Sequence, residues 1–376
     1  MDEKKYTKIG IIVTVIIVAI VLGIGGLIYS KVKKNDNGSN KDIQKIAKKE
    51  NVKIRENEVR QLTLEDYSTD VFSMKKPKGW TVEGAGIGVF YAIRAYDPQN
   101  TNNQVFLMVK MQPLLKSDSA KSAWQNYYNL SGGNAQYKVF ANAVVLNNPT
   151  TEGFYKKFGE ISSYVNSIEP TLSSFKFPTF NSFTKQEEFD STASMKNVAL
   201  DSKVLRATFK GDNGKDGEGL FLASVVDFGS GQYQAGVDTS FYMVYDIMSV
   251  TSEKDKFIDY KDILLQTVNS IKFSDSYVKT TIDNSNAQTQ KALELSASIQ
   301  RAFDSYMSAW ESRSKSYDIM SQKQSDAILG YERVYDTENG DIYKAYNGFT
   351  DDYDGERYKS ISDNMYTEPT YGYIDK

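Results

Sequence analysis

Residues 9–29 read IGIIVTVIIVAIVLGIGGLIY, a run of 21 residues without a charged side chain. About 20 apolar residues, each rising 1.5 Å along a helix, cross the roughly 30 Å hydrocarbon core of a bilayer. A helix satisfies its own backbone hydrogen bonds in lipid, so the many β-branched residues do not argue for a strand. The run therefore predicts an N-terminal transmembrane helix.

The apolar run also differs from a cleaved secretion signal, whose apolar region is about 7–15 residues long and ends in a small-x-small site. This run is longer and ends in Leu27-Ile28-Tyr29. The chain has no Cys to carry a lipoprotein anchor. We therefore expect an uncleaved, single-pass anchor that contacts membrane lipid through residues 9–29.

The lysines around the anchor bear on which side of the membrane the body lies. Seven lysines follow the run within residues 30–50, against three before it. This count alone favours a cytoplasmic body. Long domains, however, translocate largely regardless of charge, and a short stub before an anchor is typical of a body outside the cell. We favour a cell-membrane protein with an extracytoplasmic C-terminal body, and the lysine count remains a contrary indication.

The composition excludes several kinds of chemistry. The chain has no His and no Cys, which removes Ser-His-Asp and Cys-His nucleophiles, His-ligated zinc and disulfides. The formal net charge of −3 argues against non-specific binding of nucleic acid. An enzyme built from this chain would need a carboxylate pair, a Ser-Lys pair or a hard metal held by oxygen.

Hydrophobic periodicity predicts an α+β fold with several segments after the anchor. Each of two small units is expected to pair antiparallel strands with a helix, and each ends in a Val-Asn-Ser-Ile sequence that is either a trace of duplication or a coincidence. A long amphipathic helix and a β-hairpin tail follow. The predicted segments are a cytoplasmic stub (1–8), the transmembrane anchor (9–29), a polar spacer (30–62), the first α+β unit (63–173), the second α+β unit (174–280), the long helix (281–330) and the hairpin with an acidic, aromatic tail (331–376).

Two stretches carry a resemblance to known families. Lys76-Pro77-Lys78-Gly79-Trp80 opens a small α+β unit, and a helix followed by NSIKFSDSY at residues 269–277 closes one. This arrangement resembles the PsbP-like group of small bacterial α+β domains. Residues 325–349 are similar to the tails of uncharacterised surface proteins from Gram-positive bacteria. The resemblance implies an extracytoplasmic, non-catalytic body, and it supplies no catalytic residue or cofactor.

The acidic tail contains the one candidate metal site. Asp351, Asp352, Asp354 and Glu356 place several carboxylates within six residues. Hard cations such as Ca²⁺ prefer oxygen ligands, whereas a surface acidic run is more often solvated. The sequence identifies no catalytic residue.

These observations predict a membrane-anchored extracytoplasmic binding or assembly protein without catalytic activity. Its partner would be a protein or a cell-wall component, with no nucleic acid and no cofactor. Two alternatives stay open. One is a carboxylate-dependent cell-wall enzyme, and the other is an intracellular membrane-tethered adaptor.

Overall fold

The computed structural model describes residues 52–229, 231–234, 236–283 and 295–376, the last range without the side chains of 295–298. The chain divides into two compact units, Met1–Lys53 and Ile54–Lys376. The second unit contains nearly all of the described residues, and the fold below is that of this unit.

The strands and helices alternate irregularly along the chain. In order, the strands are β1 (Lys53–Glu56), β2 (Leu64–Ser68), β3 (Phe72–Pro77), β4 (Thr81–Ala85), β5 (Ala92–Asp97), β6 (Asn100–Lys110), β7 (Leu114–Leu115), β8 (Asn181–Asp190), β9 (Asp201–Lys210), β10 (Asp216–Phe228), β11 (Tyr233–Gln234), β12 (Val237–Asp238), β13 (Phe241–Glu253), β14 (Lys272–Phe273), β15 (Tyr331–Asp336), β16 (Ile342–Tyr346), β17 (Tyr358–Ser360) and β18 (Gly372–Asp375). The helices are α1 (Glu58–Gln61), α2 (Asp118–Leu130), α3 (Ala135–Asn142), α4 (Thr151–Lys156), α5 (Phe158–Ile168), α6 (Phe257–Asn269), α7 (Asp275–Asp283), α8 (Leu295–Ser312), α9 (Lys315–Leu329) and α10 (Phe349–Asp352).

The centre of the unit is an antiparallel sheet in the order β4-β5-β6-β13-β10-β9-β8, with β7 pairing to β13. Successive residues of a strand point to opposite faces of a sheet. Val105 and Leu107 of β6 accordingly face one side, whereas Phe106 and Met108 face the other, and all four are at most 5% exposed. The long strands of this sheet are therefore apolar on both faces.

Helices cover both faces of this central sheet. The side chains of α6 and α8 pack with Leu107 and Val250 on one face. Those of α4 and α5 pack with Phe106 and Phe221 on the other face. The result is a three-layer arrangement in which the sheet lies between two helical layers.

The predicted fold class is wrong in its division into two small α+β units. Strand β6, from the predicted first unit, pairs with β13 from the second, and Val105 lies opposite Val250. Both halves thus belong to one sheet. Pairing between strands so distant in the chain leaves no local pattern, which is why the periodicity alone could not reveal it.

The single long helix predicted over residues 281–330 is also wrong. Within the described ranges the chain forms α8 and α9, separated at residues 313–314, and residues 284–294 lie outside those ranges. The Ser314 side chain accepts a hydrogen bond from Tyr317 N–H at 3.2 Å, which starts α9. The Ser314 backbone N–H donates to Glu187 Oε1 at 2.7 Å, so a contact with β8 fixes the turn. Gly330 ends α9 with a left-handed φ of 75°, as is common for a glycine after the last turn of a helix.

Helix α9 lacks the apolar face that the predicted amphipathic helix would have. Met320 is 63% exposed, whereas the buried side chains of this helix are polar. These buried residues are Asp318, Gln322 and Asp326. Asp318 Oδ1 lies 2.6 Å from Arg206 Nη1 of the central sheet, and Asp326 Oδ2 lies 2.6 Å from Arg333 Nε of β15. Ion pairs therefore hold α9 between the two sheets.

The tail is larger than the hairpin that the sequence predicts. Strands β15 and β16 pair antiparallel around Asn339-Gly340, which confirms the predicted hairpin itself. They belong to a five-stranded sheet in the order β1-β18-β16-β15-β17, and β18 runs parallel to β16. This sheet joins residues from both ends of the described chain, a pairing that turn residues cannot indicate.

The predicted transmembrane helix gains no support from the structure. Among the residues that the structure describes, no helix is both long and apolar enough to cross a bilayer. The predicted anchor at 9–29 and the stub at 1–8 lie outside the described ranges, as does the spacer as far as residue 51.

Candidate functional site

A buried arginine on β5 is the most unusual charged group of the central sheet. Ala92, Arg94 and Tyr96 alternate with Ile93 and Ala95, so the first three face the side of the sheet that α5 covers. Arg94 is only 4% exposed. Most of its guanidinium group is therefore shielded from bulk water, which is costly for a cation unless a partner compensates it.

Three nitrogen atoms of Arg94 have different surroundings. Nε donates to Gln104 Oε1 at 2.6 Å, and Nη1 donates to the carbonyl oxygen of Lys176 at 2.8 Å. Nη2 donates to no acceptor in the described ranges, and it is not among the covered side-chain atoms that lack a partner. We infer that Nη2 is open to solvent and available to a ligand.

The other buried arginines contrast with Arg94 in their electrostatics. Arg206 lies 2.6 Å from both Glu218 Oε1 and Asp318 Oδ1, and Arg333 lies 2.6 Å from Asp326. No described carboxylate lies within the 4.0 Å ion-pairing distance of Arg94.

The pKa shifts follow the same contrast. Burial lowers the pKa of Arg94 from its usual value, and the more distant Asp212 and Glu83 offset only part of this. Burial alone would also lower the pKa of Arg206, but Glu218 and Asp318 outweigh it and raise that pKa. Arg94 is thus a buried cation without a matching anion.

Neighbouring side chains hold the Arg94 guanidinium in place. Its Cζ atom lies 4.5 Å from the centroid of the Tyr96 ring, a cation–π distance. Tyr96 Oη donates to Glu83 Oε1 at 2.9 Å, and Lys176 N–H donates to Glu83 Oε2 at 3.3 Å. Both oxygens of Glu83 thus accept hydrogen bonds from groups other than the guanidinium, and Glu83 makes no direct ion pair with Arg94.

Arg94 lies in the wall of an open, polar cleft of about 540 Å³, which we call the Arg94 cleft. This volume falls in the range of small-molecule sites, about 300–1,000 Å³. The walls come from β5, the start of β6, α5, the segment after α5, and the loop between β9 and β10. The lining residues are Arg94, Tyr96, Thr101, Ser162, Ser163, Asn166, Ser173, Ser174, Phe175, Lys176, Phe177 and Asp212.

Asp246 is a second unusual charge, but its surroundings do not fit a ligand site. It lies in a bulge of β13, between the pairs Leu222–Met248 and Ser224–Tyr245, with a left-handed φ of 51°. Its carboxylate accepts hydrogen bonds from Ser194 Oγ at 2.7 Å, Ser224 Oγ at 3.0 Å and Met195 N–H at 3.1 Å. Only about 20 Å³ beside it is open to a water-sized molecule. That space fits about one water, so Asp246 has a structural role.

The predicted cation ligands lie at the surface of the tail. Asp351, Asp352, Asp354 and Glu356 are all exposed. Tyr346 Oη donates to Asp352 Oδ2 at 3.4 Å, and Lys359 Nζ lies 3.5 Å from Glu356. In the parts of the chain that the structure describes, no three acidic side chains are grouped so that they could hold a metal ion. A cation at these four residues stays a prediction.

The three tryptophans and the loop between β9 and β10 have structural roles. Trp80, Trp124 and Trp310 are 5–7% exposed, so they belong to the core and form no recognition platform. Residues 211–215 join β9 and β10 in a hairpin.

Comparison with protein-family models finds no match for this chain, and comparison with curated proteins finds none either. The resemblance to PsbP-like domains stays a prediction.

The sequence reasoning did not single out Arg94, although a signal for it was present. Residues 88–96 read GVFYAIRAY, an apolar and β-prone run in which Arg94 is the one charged residue. In the next strand, Gln104 lies in phase with Phe106 and Met108. A charged and a polar side chain on the same buried face of adjacent strands indicate an internal polar site. The absence of a carboxylate partner becomes visible only in three dimensions.

We expect Arg94→Gln to destabilise the protein less than Arg206→Gln does. Loss of Arg206 leaves Glu218 buried without a cation, which typically costs about 3–5 kcal/mol. Loss of Arg94 leaves no carboxylate unpaired, so the cost is that of its hydrogen bonds, about 1–2 kcal/mol. Denaturant unfolding of both variants and the wild type measures the difference. An equal or larger loss for Arg94→Gln would contradict the uncompensated state of Arg94.

We expect Asp246→Asn to change how stability depends on pH. Burial, the largest cause, raises the pKa of Asp246 above 3.8. The folded state then keeps a proton that the unfolded state releases, so the wild type loses stability as pH rises from about 3.8 through the folded-state pKa. Asn tolerates left-handed backbone and does not titrate. The unfolding free energy of the wild type relative to Asp246→Asn should therefore fall between pH 3 and pH 7, whereas a constant difference would refute the shift.

Proposed function

We propose that this chain is a membrane-attached, extracytoplasmic binding protein without catalytic activity, and that its ligand carries a negative charge bound at the Arg94 cleft. The observation that carries the proposal is Arg94, which is 4% exposed, has no carboxylate within ion-pairing distance among the described residues, and lines an open cleft. Attachment through residues 9–29 and the extracytoplasmic position rest on the sequence.

The energetics of Arg94 favour a recognition role over a structural one. A buried charge without a partner destabilises a fold, so structural arginines are normally paired, as Arg206 and Arg333 are. Departures from this rule concentrate at functional sites. An anion that pairs with Arg94 would recover the interaction that the folded chain lacks.

The lining of the cleft, as the structure describes it, contains groups that can bind a ligand, but it lacks the side chains that most often act in catalysis. The chain has no His or Cys, and Asp212 is the one carboxylate in the cleft lining that the structure describes. Its Oδ1 accepts a short hydrogen bond from Thr101 Oγ1. A glycosidase needs two carboxylates facing across the bond that is cleaved. The lining therefore favours binding over the alternative of a carboxylate-dependent cell-wall enzyme.

Anion binding should stabilise the full-length protein and depend on Arg94. We expect inorganic phosphate or acetate, compared with chloride at equal ionic strength, to raise the melting temperature of the wild type. A ligand at 100 times its Kd stabilises a protein by about 2.7 kcal/mol. Differential scanning fluorimetry in detergent micelles measures the shift, which Arg94→Gln should abolish.

The matched control for this experiment is Arg60→Gln, because Arg60 is exposed and lies outside the cleft. It should keep the full anion-dependent shift. An equal shift in Arg94→Gln and the wild type would refute binding at Arg94. Hydrolysis of peptidoglycan or a glycoside by the purified protein, lost on changing one carboxylate, would refute the non-catalytic role.

Protease treatment of intact cells tests the extracytoplasmic position. We expect an antibody to the acidic tail to lose its signal after treatment, because residues 54–376 lie outside the cell under the proposal. A cytoplasmic marker protein that remains intact is the control. Complete protection of the tail would instead favour the intracellular adaptor, which the lysine count around residues 9–29 supports.

A further inference from the structure

The Arg94 cleft contains hydrogen-bond acceptors as well as a cation. Ser162 Oγ and Ser163 Oγ both donate to the carbonyl oxygen of Gly159, at 3.1 and 2.9 Å. Ser173 Oγ likewise donates to the carbonyl oxygen of Pro170 at 2.8 Å. A hydroxyl group that donates its hydrogen in this way still has lone pairs with which it can accept another hydrogen bond. These serines therefore present acceptors, which an anion without a hydroxyl group, such as acetate or chloride, cannot use.

Asn166 adds an acceptor that has no partner in the described structure. Its Nδ2 donates to the carbonyl oxygen of Phe175 at 3.2 Å, while its Oδ1 is covered and accepts no hydrogen bond. A covered, unpaired polar atom destabilises the protein. Asn166 lines the cleft, so a turn of its amide group toward the cleft would bring Oδ1 to a ligand hydroxyl, whose donated hydrogen bond would remove that cost. The cleft therefore fits a ligand that combines a negative charge with hydroxyl donors.

Aromatic side chains in the lining of the Arg94 cleft indicate that the ligand also has an apolar surface. Tyr96 and Phe177 are partly buried and line the cleft, and the Tyr96 ring lies against the Arg94 guanidinium. Binding sites for small organic molecules combine such apolar surface with a few oriented polar groups. A ring with one C–H face and several hydroxyl groups matches this combination.

We propose that the ligand of the Arg94 cleft is an acidic sugar, a pyranose that carries a carboxylate or a phosphate group. The anionic group pairs with Arg94 Nη2, and the ring hydroxyls donate to Asn166 and the serines of α5. This inference rests on the proposed function, because it names the ligand class of the same site.

The test compares acidic sugars with their separate parts. Isothermal titration calorimetry of the full-length protein in detergent, at constant ionic strength, uses D-glucuronate, glucose 6-phosphate, glucose, acetate and inorganic phosphate. We expect at least one acidic sugar to bind tenfold or more tightly than both glucose and its simple anion, and Arg94→Gln to lose this binding. Tighter binding of glucuronate indicates a carboxylated ligand, and tighter binding of glucose 6-phosphate indicates a phosphorylated one.

A second variant separates the two proposals. Asn166→Ala should weaken the acidic sugar about tenfold and leave the affinity for acetate within twofold, which also shows that the cleft is folded. If the simple anions bind as tightly as the sugars and only Arg94→Gln loses them, the acidic-sugar inference is overturned and the anion-binding function stands. If no compound binds, or Arg94→Gln binds as the wild type does, both proposals are overturned.

Discussion

Burial of the central sheet on both faces is the constraint on which the rest of this structure depends. Helical layers cover both sides of β5, β6, β9, β10 and β13, so neither face of these strands can leave a charge in water. Each charged residue on them must then find a partner within the fold. Arg206 meets this requirement with Glu218 from the neighbouring strand and Asp318 from α9. The buried side of α9 is polar because its side chains supply such partners, as Asp318 does for Arg206.

Arg94 is the exception to this rule, and its surroundings explain how the fold tolerates it. Neutral groups, Gln104 Oε1 and the Lys176 carbonyl oxygen, satisfy two of its nitrogens, and the Tyr96 ring lies against the guanidinium. These contacts orient the cation without neutralising it. Because the Arg94 side chain is already oriented, anion binding loses no conformational entropy in ordering it. Partial burial also reduces the screening of the Arg94 charge by salt. The same surroundings therefore orient the guanidinium and strengthen its attraction for an anion.

The sequence could predict features that depend on neighbouring residues and could not predict those that depend on distant ones. Asn339-Gly340 correctly indicated the hairpin of β15 and β16, and Gly330 correctly indicated the end of α9. The shared sheet was missed because β6 and β13 pair across more than a hundred residues. The break between α8 and α9 was missed because it depends on the contact of Ser314 with Glu187. The candidate site was missed for the same reason. Among the residues that the structure describes, Arg94 differs from the other buried arginines in lacking a carboxylate partner, and this depends on residues distant in the chain.

The composition of the chain limits how the cleft can respond to pH. With no His in the chain, no side chain has an ordinary pKa between pH 5 and 8. Burial lowers the pKa of Arg94, but from an ordinary value so high that the guanidinium remains charged at neutral pH. The cleft therefore keeps its positive charge across this range. A carboxylate ligand is fully ionised there, whereas the second ionisation of a phosphate group occurs near pH 6. Any pH dependence of binding between pH 5 and 8 would then belong to the ligand, and it would distinguish a phosphorylated sugar from a carboxylated one.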